Sequence, residues 1–178
     1  MNILVCIKQV PDTTEIKIDP VKHTLIREGV PSIVNPFDAC ALEMAVRLKE
    51  KEGGKVIVIS MGPAQAKNAL KECLAVGADQ AFLVTDRAFG GSDTLATSYI
   101  LSRAIAAVEA KTGEKFDLIF CGKQAIDGDT AQVGPEIAEH MDLPHVTLAT
   151  AVEMADGKLH VTRDTDEGHD LVEVSLPA

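Results

Sequence analysis

The sequence predicts an α/β fold in which a Rossmann-like, doubly wound parallel sheet carries an antiparallel strand extension near the C-terminus. Two observations predict it. Through residues 1–145, four short apolar runs alternate with segments of helical periodicity, as in a parallel sheet with right-handed crossovers. In residues 146–178 the pattern changes to alternating strands without helices. Because 178 residues suffice for one domain and are few for two, we predict a single domain, 1–178.

The first half of the core contains two strands and the helix between them. Residues 2–7 are an immediate apolar strand, and short alternations at 15–19 and 24–28 predict a small hairpin outside the main sheet. A helix begins at Pro36, because proline favours the first helical position, and it runs to about Glu52. Glu43 precedes Arg47 by four residues on its polar stripe, and the predicted buried face comprises Ala41, Met44, Ala45 and Leu48. Residues 55–60 are the second strand.

The second half continues the alternation. A helix after the Met61-Gly62-Pro63 turn buries Ala66, Ala69, Leu70, Cys73 and Leu74. The third strand is 81–85, and a helix capped by Ser92 or Asp93 runs to about residue 110. The fourth strand, 116–121, precedes a helix on which Val133, Ile137 and Met141 share a face. Antiparallel strands follow at 147–154, 158–163 and 171–176, the first two joined by an Asp-Gly turn.

Composition excludes several classes of partner. The formal charge of −10 argues against a nucleic-acid backbone or an anionic membrane, both of which need basic patches. No apolar run approaches the span of a bilayer helix, and residues 1–10 lack the features of a signal peptide, so we predict no membrane insertion and a cytoplasmic location. The four cysteines lie far apart without a C-x-x-C pair, which indicates buried, reduced thiols.

The stretch 122–135, GKQAIDGDTAQVGP, joins the fourth strand to the following helix. Asp129 or Thr130 can cap that helix, and the free backbone N–H groups of its first turn would face an anion such as a phosphate. An ordinary capped helix after a strand would have the same local pattern. The position of the strand in the sheet therefore has to separate the two interpretations.

Topology favours the anion site. The simplest doubly wound order is 3-2-1-4, with the antiparallel strands added at one edge, and its switch point lies between strands one and four. Ligands of open α/β sheets bind at the carboxyl ends of the strands that flank such a point. Those ends are residues 6–12 and Gly122, and the neighbouring second strand ends at Met61-Gly62. The sequence thus predicts a nucleotide-binding α/β domain with a core, 1–145, and an antiparallel extension, 146–178.

No established catalytic or metal-binding motif occurs elsewhere. The chain has no G-x-G-x-x-G after the first strand, no P-loop and no G-x-S-x-G elbow, and its histidines lack helical metal spacing. Asp127 and Asp129 could hold a metal or act in acid/base chemistry, but turn formation and hydrogen bonds to a ribose or to the loop itself are favoured. We therefore predict neither catalytic residues nor a metal site.

Four motifs, in order along the chain, resemble one family: VCIKQVPDT, NPFDACALEMAVRLKE, VIVISMGPAQA and CGKQAIDGDTAQVGPEIAEHM. They resemble the beta subunit of electron-transfer flavoproteins, including the electron-bifurcating and nitrogen-fixation-associated branch. The resemblance covers essentially all 178 residues. Family members usually continue beyond the position of Ala178, and that C-terminal part wraps the alpha subunit and recognises the partner dehydrogenase.

The resemblance implies an electron-carrier subunit, rather than a stand-alone enzyme, that forms a heterodimer with a flavin-containing alpha subunit. It implies that the beta subunit binds AMP or, in bifurcating members, a second FAD. The small residues Gly128 and Ala131 resemble the bifurcating branch, so we expect FAD over AMP, NADH as electron donor, and an acyl-CoA dehydrogenase or quinone oxidoreductase as electron partner. The cofactor contacts carried over are Cys6, Asn35, Pro36, Phe37, Asp38, Met61, Gly122, Lys123, Gln124, Ala125, Ile126, Asp127, Gly128, Asp129, Thr130, Ala131, Gln132 and Val133.

Two functions of other classes remain as alternatives. One is a nucleotide-dependent, adenylyl-transferring enzyme, and the other is a nucleotide-sensing module on a related α/β fold. The absence of a P-loop argues against ATP cleavage. Co-purification with a yellow alpha subunit would favour the electron carrier, whereas ATP consumption by the isolated chain would favour the enzyme.

Overall fold

The computed structural model describes residues 1–12 and 31–178. In chain order the elements are β1 (Asn2–Cys6), β2 (Gln9–Pro11), β3 (Ser32–Val34), α1 (Pro36–Glu52), β4 (Lys55–Met61), α2 (Lys67–Ala75), β5 (Gln80–Val84), α3 (Thr94–Thr112), β6 (Leu118–Cys121), α4 (Val133–Met141), β7 (Ala149–Ala155), β8 (Lys158–Thr165) and β9 (Gly168–Val174). The hairpin predicted at 15–28 lies outside the described residues. The antiparallel pair β2–β3, which the sequence analysis did not predict, flanks that segment.

The central sheet has four parallel strands in the order β5-β4-β1-β6, which confirms the predicted order 3-2-1-4. The central strands β1 and β4 are almost entirely buried, as continuous apolar runs in a parallel sheet require. The register pairs Cys6 with both Ile59 and Cys121, so these three residues mark one level near the carboxyl edge.

Helices cover both faces of this sheet. Residues at alternate positions of β1 and β4, such as Val5 and Val58, pack with α1 and α2 on one face. Their neighbours, such as Leu4 and Ile57, pack with α3 and α4 on the other. Val133, Ile137 and Met141 belong to the second layer, which confirms their shared face. The molecule is thus doubly wound, with one aliphatic core on each side.

Local signals for the helices are mostly confirmed. Pro36 stands at the first turn of α1, and Glu43 Oε1 accepts a 2.6 Å hydrogen bond from Arg47 Nε. Asp93 caps α3, because its carboxylate accepts from Ala96 N–H at 2.8 Å. Leu74 is an exception: it is exposed on α2 rather than buried, although it follows the helical period. No helix in the described ranges combines the length and apolar character that a bilayer crossing requires.

The extension is a separate sheet, so the expectation that its strands join an edge of the parallel sheet is wrong. β7, β8 and β9 form their own antiparallel meander, with Asp156 and Gly157 both at positive φ in the predicted turn. Its apolar face, including Leu159 and Val161, joins the α1 side of the core. The outer edge of β6 bonds instead with Ala178, whose N–H donates to Asp117 O and whose carbonyl accepts from Ile119 N–H.

Candidate nucleotide-binding site

The predicted crevice lies where β1 and β6 separate at their carboxyl ends. After the paired residues Cys6 and Cys121, β1 continues into Ile7 and Lys8 and β6 into the loop 122–132. Of the predicted contact residues, Cys6, Asn35 and Asp38 are buried. Phe37, Met61, Gly122, Gln124, Ala125, Ile126 and Val133 are half-buried, whereas Pro36, Lys123 and residues 127–132 are exposed. The exposed members are concentrated in a single loop, before α4.

Asn35 fixes the shape of that loop. Its side-chain amide donates to Gln124 O at 2.8 Å and accepts from Ile126 N–H at 3.1 Å, while its backbone N–H donates to Lys8 O at 2.9 Å. Asn35 has no exposed surface, and its side chain is engaged by the loop backbone. It therefore links the segment after β1 to the segment after β6.

The second half of the loop presents unpaired backbone N–H groups. A turn uses the N–H groups of Gly128 and Asp129, which both donate to Ala125 O. Among the described residues, no acceptor binds the N–H groups of Thr130 to Gly134. Asp129 and Ala131 have φ values of 52° and 54°, a conformation that is strained for residues other than glycine. Strain of this kind clusters at ligand-binding loops, where it orients backbone groups.

The start of α4 differs from the prediction. The helix begins at Val133, and its N-cap residue is Gln132 rather than Asp129 or Thr130. No side chain caps it. Asp129 Oδ1 instead accepts from Gln124 Nε2 at 2.7 Å within the loop. An uncapped helix start leaves its N–H groups and the positive end of the helix dipole available to an anion.

Asp38 occupies the junction below this loop. It is buried at the start of α1, where a carboxylate oxygen accepts from Lys8 N–H at 2.7 Å. Burial raises the pKa of this carboxyl from 3.8 to about 6, although the N–H groups of Lys8 and Gly122 and the Asn35 side chain oppose the shift. Gly122 packs on the same turn, since a Cβ there would lie 2.7 Å from Asp38 N and from Phe37 C. Asp38 is thus held by the chain itself.

Other groups close the sides of the crevice. Lys8 Nζ and Asp127 Oδ1 form a 2.6 Å ion pair between the segment after β1 and the loop. On the other side, Thr94 Oγ1 lies 3.1 Å from Glu136 Oε1 and joins the first turns of α3 and α4. The sequence analysis did not propose a role for Lys8 or Glu136. A charged residue directly after β1 was the signal that could have indicated Lys8.

The cysteines only partly follow the prediction. Cys6 and Cys73 are buried and Cys121 is half-buried, but Cys40 is exposed on α1. All four are free thiols. Because Cys6 and Cys121 are register partners, their thiols interact, and this interaction together with burial raises the pKa of Cys6 well above its usual value.

An apolar cavity of about 290 Å³ lies beside the crevice, between α1, β6, α4 and the antiparallel sheet. Met44, Phe120, Val152 and Val174 are among its lining residues. Its lining includes four of the predicted contact residues, Phe37, Gly122, Lys123 and Ala131, but not Cys6, Asn35, Asp38 or Met61. The cavity therefore adjoins the predicted crevice and shares part of its lining, and its mostly apolar walls offer few polar groups to a phosphate.

Comparisons with known proteins agree with this architecture. The family described as "Electron transfer flavoprotein domain" matches residues 22–178. The chain is 60% identical, over 99% of its length, to an electron transfer flavoprotein subunit beta of Thermoanaerobacterium thermosaccharolyticum, of which it covers 66%. It is 54% identical to the caffeyl-CoA reductase-Etf complex subunit CarD of Acetobacterium woodii, also covering 66% of that protein. It is 52% identical to protein FixA of Azotobacter vinelandii, with 63% covered.

In the last two comparisons, too, 99% of the present chain is aligned. The chain thus spans slightly less than two thirds of the length of these relatives. The family match, residues 22–178, extends through the elements from β3 to β9. The chain belongs to the electron transfer flavoprotein family and, within it, resembles the beta subunits.

Proposed function

We propose that this chain is the nucleotide-binding part of an electron-transfer flavoprotein beta subunit and that its crevice holds FAD, with AMP as the alternative. The observation that carries the proposal is the row of N–H groups from Thr130 to Gly134 at the switch point, for which the described residues provide no acceptor. Such a row, at the start of an uncapped helix, suits the pyrophosphate or phosphate of an adenine nucleotide. A chain of net charge −10 has few cations to offer a phosphate, so backbone donors are the suitable ligands.

The residues present also fit the rest of such a nucleotide. Met61 and Cys121 provide half-buried apolar surface beside the carboxyl edge of the sheet. Gly128 has nothing within 4 Å of its Cβ position, and Ala131 is small, so the loop leaves room for a pyrophosphate beside the helix start. Lys123 is exposed in the same loop, and its positive charge favours an anion. A bound FAD would supply redox chemistry, while the chain supplies binding and orientation.

The proposed partners are those that the resemblance to electron-transfer flavoprotein beta subunits implies. We expect a heterodimer with an alpha subunit, electrons from NADH, and an acyl-CoA dehydrogenase or a quinone oxidoreductase as electron partner. Two relatives are named for particular systems: one is a subunit of a caffeyl-CoA reductase-Etf complex, and the other is a FixA protein. Among the described residues, no cluster of three potential ligands is placed to hold a metal ion, and the proposal requires none.

The direct test is to identify the nucleotide that the purified protein releases on denaturation, by mass and absorbance, and to titrate the emptied protein with FAD and AMP. FAD with tight binding supports the bifurcating branch, and AMP supports the ordinary carrier. If neither nucleotide binds, the proposal is wrong. A reconstituted heterodimer should then contain two FAD molecules, one of them reducible by NADH, if the bifurcating assignment is correct.

A pair of variants tests the position of the site. Ala131 and Asp142 both have a φ of 54°, and they flank the two ends of α4. A β-branched residue is strained in this conformation, so Ala131→Val and Asp142→Val should both destabilise the fold. Because Ala131 lies within the N–H row, Ala131→Val alone should also weaken the nucleotide, by about 1–3 kcal/mol. Equal affinities in the two variants would place the phosphate elsewhere.

A further inference from the structure

The start of α1 contacts both loops of the proposed site. Asn35 binds the backbone at Gln124 and Ile126, and Asp38 binds the backbone at Lys8 and faces Gly122. These segments follow β1 and β6, the two strands that flank the switch point. Beyond Cys6 and Cys121 the two strands no longer pair with each other. Ile7 N–H still donates to Ile59 O of β4, whereas Lys8 N–H needs an acceptor that β6 no longer provides.

We infer that Asp38 is a positioning residue: its buried carboxylate stands in for the missing strand pairing and sets the separation of the two loops that enclose the nucleotide. This inference rests on the nucleotide site proposed above. It changes the role expected for Asp38, since the side chain is 7% exposed and is engaged by Lys8 N–H. Asp38 acts on the nucleotide through the positions of Lys8 and Gly122.

The close packing at Gly122 supports this role. The first turn of α1 lies directly against Gly122, with no space for a Cβ. A displacement of the Asp38 carboxylate would therefore displace the beginning of the loop 122–132. Asn35 transmits the same displacement to Gln124 and Ile126, which precede the N–H row by only a few residues.

The same sheet provides a matched control at its other end. Asp117 also joins β1 and β6: its carboxylate accepts from Asn2 N–H at 2.7 Å, and its N–H donates to Asn2 O at 2.9 Å. The chemistry and the pair of strands are the same, but Asp117 lies at the amino edge, away from the crevice. Asp117→Asn should therefore change the sheet locally and leave nucleotide affinity unchanged.

Protonation of Asp38 distinguishes its role in positioning the loops from a direct electrostatic effect of its charge on the nucleotide. The titratable groups that interact electrostatically with Asp38 are the Lys8 ammonium, itself paired with Asp127, the Cys6 thiol on β1 and the Cys73 thiol on α2. Burial raises the pKa of Cys73 to about 11, and the contact with Cys121 and burial raise that of Cys6, so both thiols stay neutral between pH 5 and 7. The pKa of Asp38 is about 6, so this carboxyl changes charge within that range.

Positioning by the Asp38 carboxylate and repulsion between that carboxylate and a phosphate predict opposite changes of nucleotide affinity with pH. A neutral Asp38 accepts fewer N–H groups, so positioning predicts that nucleotide affinity falls as the pH drops from 7 to 5. Repulsion between a charged Asp38 and a phosphate would make the affinity rise instead. Asp38→Asn should bind about tenfold more weakly than the wild type at pH 7 if positioning dominates, which corresponds to the loss of one charge-assisted hydrogen bond.

The experiment is calorimetric titration of the wild type, Asp38→Asn and Asp117→Asn with FAD and with AMP between pH 5 and 7.5. The ratio of wild-type to variant affinity at each pH removes the titration of the nucleotide itself. We expect this ratio to be about ten at pH 7 and to approach one at pH 5 for Asp38→Asn, and to stay near one for Asp117→Asn. A ratio below one at pH 7, or a ratio that does not change with pH, would overturn the inference.

Two further measurements complete the test. Amide NMR of the free protein should show the Lys8 and Gly122 signals titrating near pH 6 in the wild type and not in Asp38→Asn. If the wild-type signals do not titrate, the carboxylate does not hold the two loops and the inference fails. This outcome is decided by the wild type alone, so it does not depend on whether Asp38→Asn folds well. If the wild type binds neither nucleotide, the function proposed above fails, and the NMR titration still tests the contacts of Asp38.

Discussion

The two edges of the parallel sheet are built from similar residues but differ in what they leave unpaired. At the amino edge, Asp117 bonds with Asn2 and the carboxylate of Asp79 accepts from Val56 N–H at 2.7 Å. Lys55 and Glu114 form an ion pair beside them. At the carboxyl edge, Asp38 and Asn35 also bind strand-end backbone, yet the N–H groups of Thr130 to Gly134 have no described acceptor.

This difference between the edges shows which contacts are structural and which indicate a ligand site. Aspartates that accept strand N–H groups occur at both edges, so this contact alone does not indicate a ligand site. The carboxyl edge is distinguished by two residues at positive φ, Asp129 and Ala131, in a loop whose later N–H groups have no acceptor in the described part of the chain. Unpaired donors held in a strained conformation indicate a ligand more strongly than the aspartates do.

The largest expected effect concerns glycines at the carboxyl edge. Gly122→Ala should destabilise the protein by about 3 kcal/mol, because the new Cβ overlaps the backbone of Phe37 and Asp38, which cannot move without displacing α1. Gly128→Ala, in the same loop, has nothing within 4 Å and should change the free energy of unfolding by less than about 0.5 kcal/mol. Denaturant unfolding of both variants measures the difference.

The amino edge provides the counterpart to Gly122. A Cβ on Gly54 would meet the backbone of Met1, and its φ of 109° is unfavourable for alanine, so Gly54→Ala should also destabilise the fold. The nucleotide affinity of its folded fraction should nevertheless equal that of the wild type. If Gly54→Ala weakened the nucleotide as much as Gly122→Ala, the functional distinction between the two edges would be wrong.

Much of this distinction could be predicted from the sequence. Strand–helix alternation indicates a parallel sheet, the simplest doubly wound order for it is 3-2-1-4, and the switch-point rule then identifies the ends of β1 and β6. The helix period at Val133, Ile137 and Met141 correctly predicted the face of α4 that packs on the core. These features depend on local periodicity and general topology, which single sequences carry well.

Other features could not be predicted because they depend on tertiary contacts. The burial of Asp38 follows from the approach of Gly122 to α1, which joins residues far apart in the chain. The sequence suggested a cap from Asp129 or Thr130, but Gln124 binds Asp129 within the loop and α4 begins later. The antiparallel strands β7–β9 form a sheet of their own, and Ala178 bonds at the β6 edge, an arrangement that no local sequence pattern indicates.

The pH dependence of the free energy of unfolding compares Asp38 at the carboxyl edge with Asp79 at the amino edge, and its expected effect is of intermediate size. The folded-state pKa of Asp38 is raised from 3.8 to about 6, so its contribution to stability is complete below pH 3.8 and is lost as the pH rises through about 6. The shift corresponds to about 3 kcal/mol. For Asp79, burial opposes but does not outweigh the Val56 N–H and Lys49, which lower the pKa. Its contribution is present above pH 3.8 and is lost as the pH falls through the lowered pKa.

The measurement is the free energy of unfolding between pH 3.5 and 7 for the wild type, Asp38→Asn and Asp79→Asn. Relative to the wild type, Asp38→Asn should gain stability as the pH rises from 4 to 6.5. Asp79→Asn should be less stable than the wild type across most of the range, and this difference should shrink only as the pH falls below 3.8. Parallel curves for the wild type and Asp38→Asn would show that Asp38 has an ordinary pKa and is not held as described.

The smallest effect comes from the ion pairs at the two edges. Lys8–Asp127 and Lys55–Glu114 have similar side-chain exposures, 49% and 25% in the first pair and 44% and 31% in the second. Pairs this exposed are screened by solvent, so double-mutant cycles should give coupling energies of about 0.5 kcal/mol at both edges.

The effects of these two ion pairs on nucleotide affinity should differ, because Asp127 neutralises a lysine beside the crevice. Asp127→Asn releases the Lys8 ammonium toward a bound phosphate, so nucleotide affinity should rise about threefold at low salt and return to the wild-type value as salt increases. Glu114→Gln, which releases Lys55 at the opposite edge, should leave the affinity unchanged. An equal increase in both variants would mean that the phosphate responds only to the net charge of the protein.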